Sequence, residues 1–277
     1  MVSCLTVTRE DRLAALERSI ECFARQTLAD RELVIVHDGS RAFDERLRQL
    51  TGERWAGQRI AVHRAQAGLP LGALRNVSLE RAGYGVVCQW DDDDLNHPLR
   101  LERQLECLSR SGADFCFFTD QLHWFVQLGE LYWDDWNVEP YPMNLIQGTL
   151  MGYRDRMGAY PPEPRGEDTH MLLELARNGR RLEALSEAGY LNIYVYHGRN
   201  TWAYPHHAAI ASWKRYRRDR LMVRMSELER HLGGYAFEHE LLRLPFEGGW
   251  LEYRPRGAPG ERLRCVEGAG SDSGGAR

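Results

Sequence analysis

Over the first 120 residues, short apolar runs alternate with amphipathic stretches, and this alternation restricts the fold more than any other feature. Residues 2–7, 33–36, 59–63, 86–90 and 114–119 read as buried strands. The stretch after the first places Leu13, Leu16, Ile20, Phe23 and Ala24 on one helical face. A polar helix is expected up to about Leu50 and another over 71–82. A further helix, with Pro98 at its first position, carries Leu101, Leu105 and Leu108 at i, i+4 and i+7. Thr8, followed three residues later by Asp11, has the form of a capping box. Strand and helix alternating at these lengths predict an α/β chain: a mostly parallel twisted sheet flanked by helices. Ligands of such sheets bind beyond the carboxyl ends of the strands. Asp38 and Asp91 both fall at such ends, so they are expected to face one crevice.

The second half is less regular. Residues 122–165 are rich in Trp, Tyr and Pro. Glu167 and Asp168 open a helix with Met171, Leu172 and Leu175 on its apolar face, and Asn178-Gly179 ends it. Residues 191–196 are strand-like, and a basic helical region follows over about 207–232. From Gly257 the composition turns to Gly, Ser and Arg, which predicts a disordered tail.

Several function classes are excluded at this level. A net charge of −4 argues against a general nucleic-acid binder. No apolar run approaches the roughly 20 residues that span a bilayer. The chain opens on a strand rather than a signal peptide, so a cytoplasmic location is expected. None of the six cysteines forms a Cys-x-x-Cys pair, and they read as core thiols of a reducing compartment.

The sharpest chemical signal is Asp91-Asp92-Asp93-Asp94 at the end of a strand. Four adjacent carboxylates repel one another and call for a compensating cation. A hard divalent ion with oxygen ligands suits them, and such an ion also binds a diphosphate. The alternative is a solvated acidic turn capping the next helix.

Three other segments accompany this run. Gln26-Thr27, Glu32 and Asp38-Gly39-Ser40 form one block, Arg75-Asn76 a second and Gly166-Glu167-Asp168 a third, with Pro98 and Leu101-Glu102-Arg103-Gln104 following the acidic run. In this order they resemble the motifs of the inverting family 2 glycosyltransferases over about residues 2–200. The resemblance implies a GT-A fold, a nucleotide-sugar donor (a UDP-sugar first), a carbohydrate or lipid-linked acceptor and a Mn²⁺ or Mg²⁺ cofactor. It implies that Thr8, Asp38, Arg75, Asp91 and Glu167 serve the donor side, that Asp93 and His197 ligate the metal, and that Asp168 is the general base. It further implies a glycosyltransferase domain over 1–205, divided at 119 into a donor half and an acceptor half. A helical extension over 206–256 and the tail over 257–277 complete the chain. The pathway it suggests is bacterial polysaccharide or glycoconjugate synthesis.

Each residue also has a plainer reading. Asp38 suits an ordinary turn, and Asp168 suits a helix N-terminus, where the dipole favours a carboxylate. Arg75 and Asn76 suit an exposed helix; His197, His206 and His207 suit a surface or satisfied setting. His123, Trp124, Trp133 and Trp136 suit either an acceptor groove or a core. The basic, partly aromatic stretch 213–224 reads as a solvated helix, with peripheral contact to an anionic membrane as the alternative. The sequence departs from the family where His37 replaces the first Asp of Asp-Asp-Gly-Ser and where residues 7–10 replace Pro-x-Tyr-Asn. These departures leave open a non-catalytic nucleotide- or carbohydrate-binding protein on the same fold. A nucleotidyltransferase is a further rival, but residues 2–12 lack its glycine-rich basic phosphate loop.

Overall fold

The computed structural model describes residues 1–268. The first elements are β1 (Val2–Thr8), α1 (Leu13–Ala24), β2 (Arg31–His37), α2 (Arg41–Arg54), β3 (Ile60–Arg64), α3 (Leu71–Arg81) and β4 (Val86–Gln89). Then come β5 (Leu95–Asn96), α4 (Arg100–Ser111), β6 (Phe115–Phe118), β7 (Asp120–Phe125), β8 (Glu130–Asp135) and β9 (Met151–Tyr153). The remainder comprises α5 (Glu167–Arg177), β10 (Leu182–Leu185), β11 (Asn192–Tyr196), α6 (Tyr204–Lys214), α7 (Arg218–Val223), α8 (Met225–His231), β12 (Leu242–Phe246), β13 (Gly249–Tyr253) and β14 (Leu263–Glu267). The chain forms two compact units, the first of residues 1–120 and 136–192, the second of residues 121–135 and 193 onward.

The first unit holds a seven-stranded sheet in the order β10-β6-β9-β4-β1-β2-β3. β1 pairs in parallel with β2 and β4, β2 with β3, and β6 with β10. β9 runs antiparallel between β4 and β6. Both faces of this sheet are buried, which is why its strands read as continuous apolar runs. Leu33 and Ile35 join a core with Leu16, Ile20, Phe23, Leu101 and Leu108 of α1 and α4. Their neighbours Val34 and Val36 pack on the other side with Leu74 of α3. A third cluster sets Phe115 and Phe117 against Met171, Leu172 and Leu175, the face expected for α5.

The family-like residues outside the acidic segments hold this unit together. The Gln26 amide donates to the His97 carbonyl at 2.8 Å and accepts the Leu101 N–H at 3.1 Å, fixing the start of α4. That helix begins at Arg100, two residues later than Pro98 suggested. Glu32 accepts the Ser3 hydroxyl and the Gly83 N–H, both at 2.6 Å. Gln104 donates to the Thr149 and Cys116 carbonyls. The expected capping box is absent: Thr8 donates its hydroxyl to Asp92, and residues 10–12 form a single 3-10 turn. A buried carboxylate is a stronger acceptor for that hydroxyl than a solvated backbone end is a donor to it.

The second unit has its own sheet, in which β14, β13, β12, β8, β7 and β11 are successive neighbours. Here the structure departs from the sequence reading. The basic region over 207–232 is broken into α6, α7 and α8. The helical extension expected over 206–256 also contains the β12–β13 hairpin, and within the expected tail β14 pairs antiparallel with β13. Leu263 of β14 is buried, so five residues of this Gly- and Arg-rich stretch are held by a ladder and one apolar anchor. The rest of that expectation, residues 269–277, lies outside the described residues. Trp124 and Trp133 are buried, and Trp133 stacks on Tyr216. They belong to the core of this unit rather than to a groove. His123 is buried too, between Asp134 at 2.9 Å and His207 at 3.0 Å. All six cysteines are free thiols.

Candidate active site

In the first unit, β1, β2 and β4 end near a set of carboxylates and two arginines. Arg75, on α3, is buried. Its Nε donates to Glu167 Oε1 at 2.7 Å and its Nη2 to Asp91 Oδ1 at 3.1 Å. Asp91 also accepts from the Gln89 amide at 3.1 Å. The reading of Arg75 as an exposed helix residue is therefore replaced by a buried cation bridging two acids. Asn76 faces the same loop: its amide donates to the Tyr160 carbonyl at 2.8 Å, and its carbonyl accepts the Tyr160 N–H at 2.7 Å. The backbone of the 160s loop also docks on Gly72, whose N–H donates to Glu163 O at 3.0 Å. A methyl group on Gly72 would lie 1.8 Å from the Pro161 carbonyl oxygen, so the approach requires glycine. Gly166, at φ +78°, then turns the chain into α5.

Asp168 is the second residue of α5 and accepts the backbone N–H of Thr169 at 2.7 Å. Burial and the neighbouring Glu167 push its carboxyl up to about 6, against the pull of Arg75, with Asp91 pushing in the same direction as Glu167. A carboxylate with this poise is ionised at neutral pH and basic enough to accept a proton from a hydroxyl. Burial, with the same acids, holds the Tyr160 phenol well above its ordinary value against the pull of Arg75, so it stays protonated.

The second group lies where β1 meets the end of β4. Arg12 Nη1 donates to Asp92 Oδ1 at 3.0 Å and to Asp93 Oδ2 at 3.1 Å. The Thr8 hydroxyl donates to the other Asp92 oxygen at 2.6 Å. Burial first and Asp93 second raise the Asp92 carboxyl to about 7, although Arg12 and Thr8 oppose them. At Asp92, burial and like charge thus outweigh the pull of the guanidinium. Among the described residues, no three His, Cys, Asp or Glu side chains converge as a metal cage. The donor chemistry nevertheless fits a hard cation held by one or two carboxylates and completed by substrate phosphates. Asp93 is the carboxylate of this pair that Thr8 does not engage.

The remaining expected site residues fall as follows. Asp38 is half-buried after β2 and accepts the Gly68 N–H at 3.1 Å. His37 is fully buried; its Nδ1 accepts the Gly39 N–H and its Nε2 meets Asp44 at 3.1 Å. It therefore braces the turn and α2 and offers no surface to a ligand. His197 belongs to the second unit, where its Nδ1 accepts the Arg199 N–H at 3.3 Å. The sequence reading missed Arg12 and Tyr160. Arg12 follows Thr8 by four residues in the turn after β1, and that spacing is its one mark in the sequence.

Residues 3–135 match the family model described as glycosyl transferase family 2. Residues 3–135 belong to that family. Curated relatives of the family 2 segment include the amylovoran biosynthesis glycosyltransferase AmsE of Erwinia amylovora, 31% identical over 102 residues (36% of this chain and 37% of AmsE). The O-antigen biosynthesis glycosyltransferase WbnJ of Escherichia coli is 31% identical over 100 residues (36% of this chain and 38% of WbnJ). The alignments thus span little more than a third of these relatives. Among solved structures, S. aureus TarS 1–349 in complex with UDP-GlcNAc superimposes with a TM-score of 0.53 at 14% identity, covering 83% of this chain and 66% of that one. The mannosyltransferase PcManGT from Pyrobaculum calidifontis, in complex with GDP-Man and Mn²⁺, gives 0.54 at 13% identity, covering 84% and 62%. The fold of this chain is GT-A.

Proposed function

We propose that this chain is an inverting glycosyltransferase that moves a sugar from a UDP-sugar to an acceptor hydroxyl. The observation that carries this reading is the setting of Asp168. Its neighbours Glu167 and Asp91 are tied to Arg75, while Asp168 stands at the start of α5, poised at about 6. As base, Asp168 takes the proton of the acceptor hydroxyl. The acceptor oxygen then bonds to the anomeric carbon as the bond to the diphosphate oxygen breaks, and the electron pair leaves with the nucleoside diphosphate. One displacement inverts that carbon. Asp38 recognises the nucleotide, Thr8 and Arg75 hold the carboxylates of the donor side, and Asp91 and Glu167 fix Arg75. A Mn²⁺ or Mg²⁺ ion held by Asp93 would act as a Lewis acid on the departing diphosphate. The names of AmsE and WbnJ support a bacterial polysaccharide as acceptor, and the UDP-GlcNAc complex of TarS supports UDP.

Calorimetric titration with UDP, GDP, CDP and dTDP, with and without Mn²⁺, tests this reading. Metal-dependent binding of UDP is expected; binding of another nucleotide would rename the donor. Binding of none would overturn the enzyme reading and restore the non-catalytic one.

We also propose that the second unit rests on an anionic lipid surface on the cytoplasmic side. No helix among the described residues is long and apolar enough to cross a membrane. Trp213 and Val223 are, however, 83% and 82% exposed. Residues 213–224 carry six basic side chains against one acidic, in a chain of net charge −4. Exposed Arg215 and Arg217 complement anionic headgroups, and an aliphatic Val223 gains from a lipid boundary what a hydrated glycan cannot give it. Co-sedimentation with phosphatidylglycerol vesicles is expected, with Trp213→Ala weakening it and phosphatidylcholine vesicles failing to support it. No sedimentation with the anionic vesicles would overturn the proposal.

A further inference from the structure

The acidic run at the end of β4 calls for a cation, and the chain supplies one of its own. Arg12 reaches from the turn before α1 to Asp92 Oδ1 at 3.0 Å and Asp93 Oδ2 at 3.1 Å. The three side chains are only 13%, 3% and 11% exposed, so water screens these contacts weakly. The two contacts differ in kind. Asp92 is also held by Thr8 at 2.6 Å, which makes it a fixed anchor for the guanidinium. Asp93 is the more exposed of the two acids.

We propose that Arg12 is an internal counter-cation that competes with a divalent metal ion for Asp93. A guanidinium and a metal ion drawing on the same carboxylate repel each other at close range. Metal entry therefore requires Arg12 to give up Asp93, and the retained bond to Asp92 keeps the released side chain nearby. The metal-free protein is thus held with its acids compensated, and its affinity for a bare ion is lower than its carboxylates alone would give. A nucleoside diphosphate brings negative charge of its own and shifts the competition toward the metal. This inference rests on the reading of Asp93 as the metal-facing carboxylate.

The test is Mn²⁺ binding, followed by the electron paramagnetic resonance signal of the free ion, on the full chain without substrate and with UDP. Arg12→Gln is expected to bind bare Mn²⁺ about tenfold more tightly than the wild type, while Arg12→Lys stays close to it. UDP should tighten binding to the wild type more than to Arg12→Gln, because the barrier it offsets is gone in the variant. Arg12→Met, which keeps the apolar stem, reads the same competition if the Gln variant unfolds. Asp93→Asn reports on the underlying reading. If Asp93→Asn abolishes binding but Arg12→Gln and Arg12→Met leave it unchanged or weaker, the competition is overturned and the metal reading survives. If Asp93→Asn binds Mn²⁺ as the wild type does, or if no form binds it, both fall.

Discussion

Two acid groups in the first unit each hold an arginine, and they use it differently. Around Arg75 the acids come from separate elements: Asp91 from the end of β4, Glu167 and Asp168 from the start of α5. The guanidinium is spent on Asp91 and Glu167, and the surplus charge falls on Asp168, which is half-buried and poised at about 6. Around Arg12 the acids are sequence neighbours, and the surplus falls on Asp92, which is buried and raised to about 7. In both groups burial comes first and a neighbouring acid second; the residue they act on differs in exposure. In the first group the raised carboxyl is half-buried, and it is the one that the proposed function uses as base. In the second it is buried, and Asp93 beside it is one of the charges that raise it.

The largest effect should come from Asp168→Asn. Transfer is expected to fall by about 10²–10⁴, the range for removing a general base, with UDP affinity unchanged by calorimetry. Unchanged turnover would erase the functional half of the contrast. Next is Arg75→Gln, which leaves the buried Glu167 and the half-buried Asp91 without their cation and should cost about 3–5 kcal/mol of stability by chemical denaturation. Arg12→Gln should cost less, about 1–2 kcal/mol, because Thr8 still holds Asp92. Equal losses at the two arginines would break the comparison.

The mildest and most telling change is in pH dependence. The charged groups acting on Asp168 are Glu167, Asp91 and Arg75, and Arg75 lies over the Tyr160 ring. Burial and like charge raise its folded value above that of a free carboxyl, so it carries a proton below about 6 and is ionised above. Transfer should therefore rise as pH passes upward through about 6 and then level off. Arg75→Lys should shift that midpoint slightly, because the lysine keeps the charge but not the two-pronged contact. A rate that falls over the same interval would mean that Asp168 acts as an acid.

Much of this arrangement was legible in the sequence, and the gaps have physical causes. The strands of the first unit were readable because a sheet covered on both faces writes uninterrupted apolar runs such as residues 33–36. The start of α5 and its Asn178-Gly179 end followed from local chemistry, and Gly179 does adopt φ +68°. The acidic run was visible, but its counter-ion was not, since Arg12 is one of many arginines and nothing local marks its direction. The sequence points Thr8 to a helix cap because it shows the neighbour at Asp11 and hides the one at Asp92. The strand at 263–267 was missed because Gly and Arg on either side dominate the composition, while the ladder to β13 that holds it is a long-range fact. Trp124 and Trp133 were undecided for the same reason: only packing separates a buried indole from one that lines a groove.

The docking of the 160s loop on α3 bears on how such a chain can be recombined. Gly72, Arg75 and Asn76 grip the loop at Glu163, Glu167 and Tyr160, so one helix from the early part of the chain carries the acids of the later part. A division at residue 119, natural from the sequence, would cut through that grip. A hybrid that borrows residues 136–192 from a relative must borrow α3 as well, or it will inherit a loop with nothing shaped to receive it.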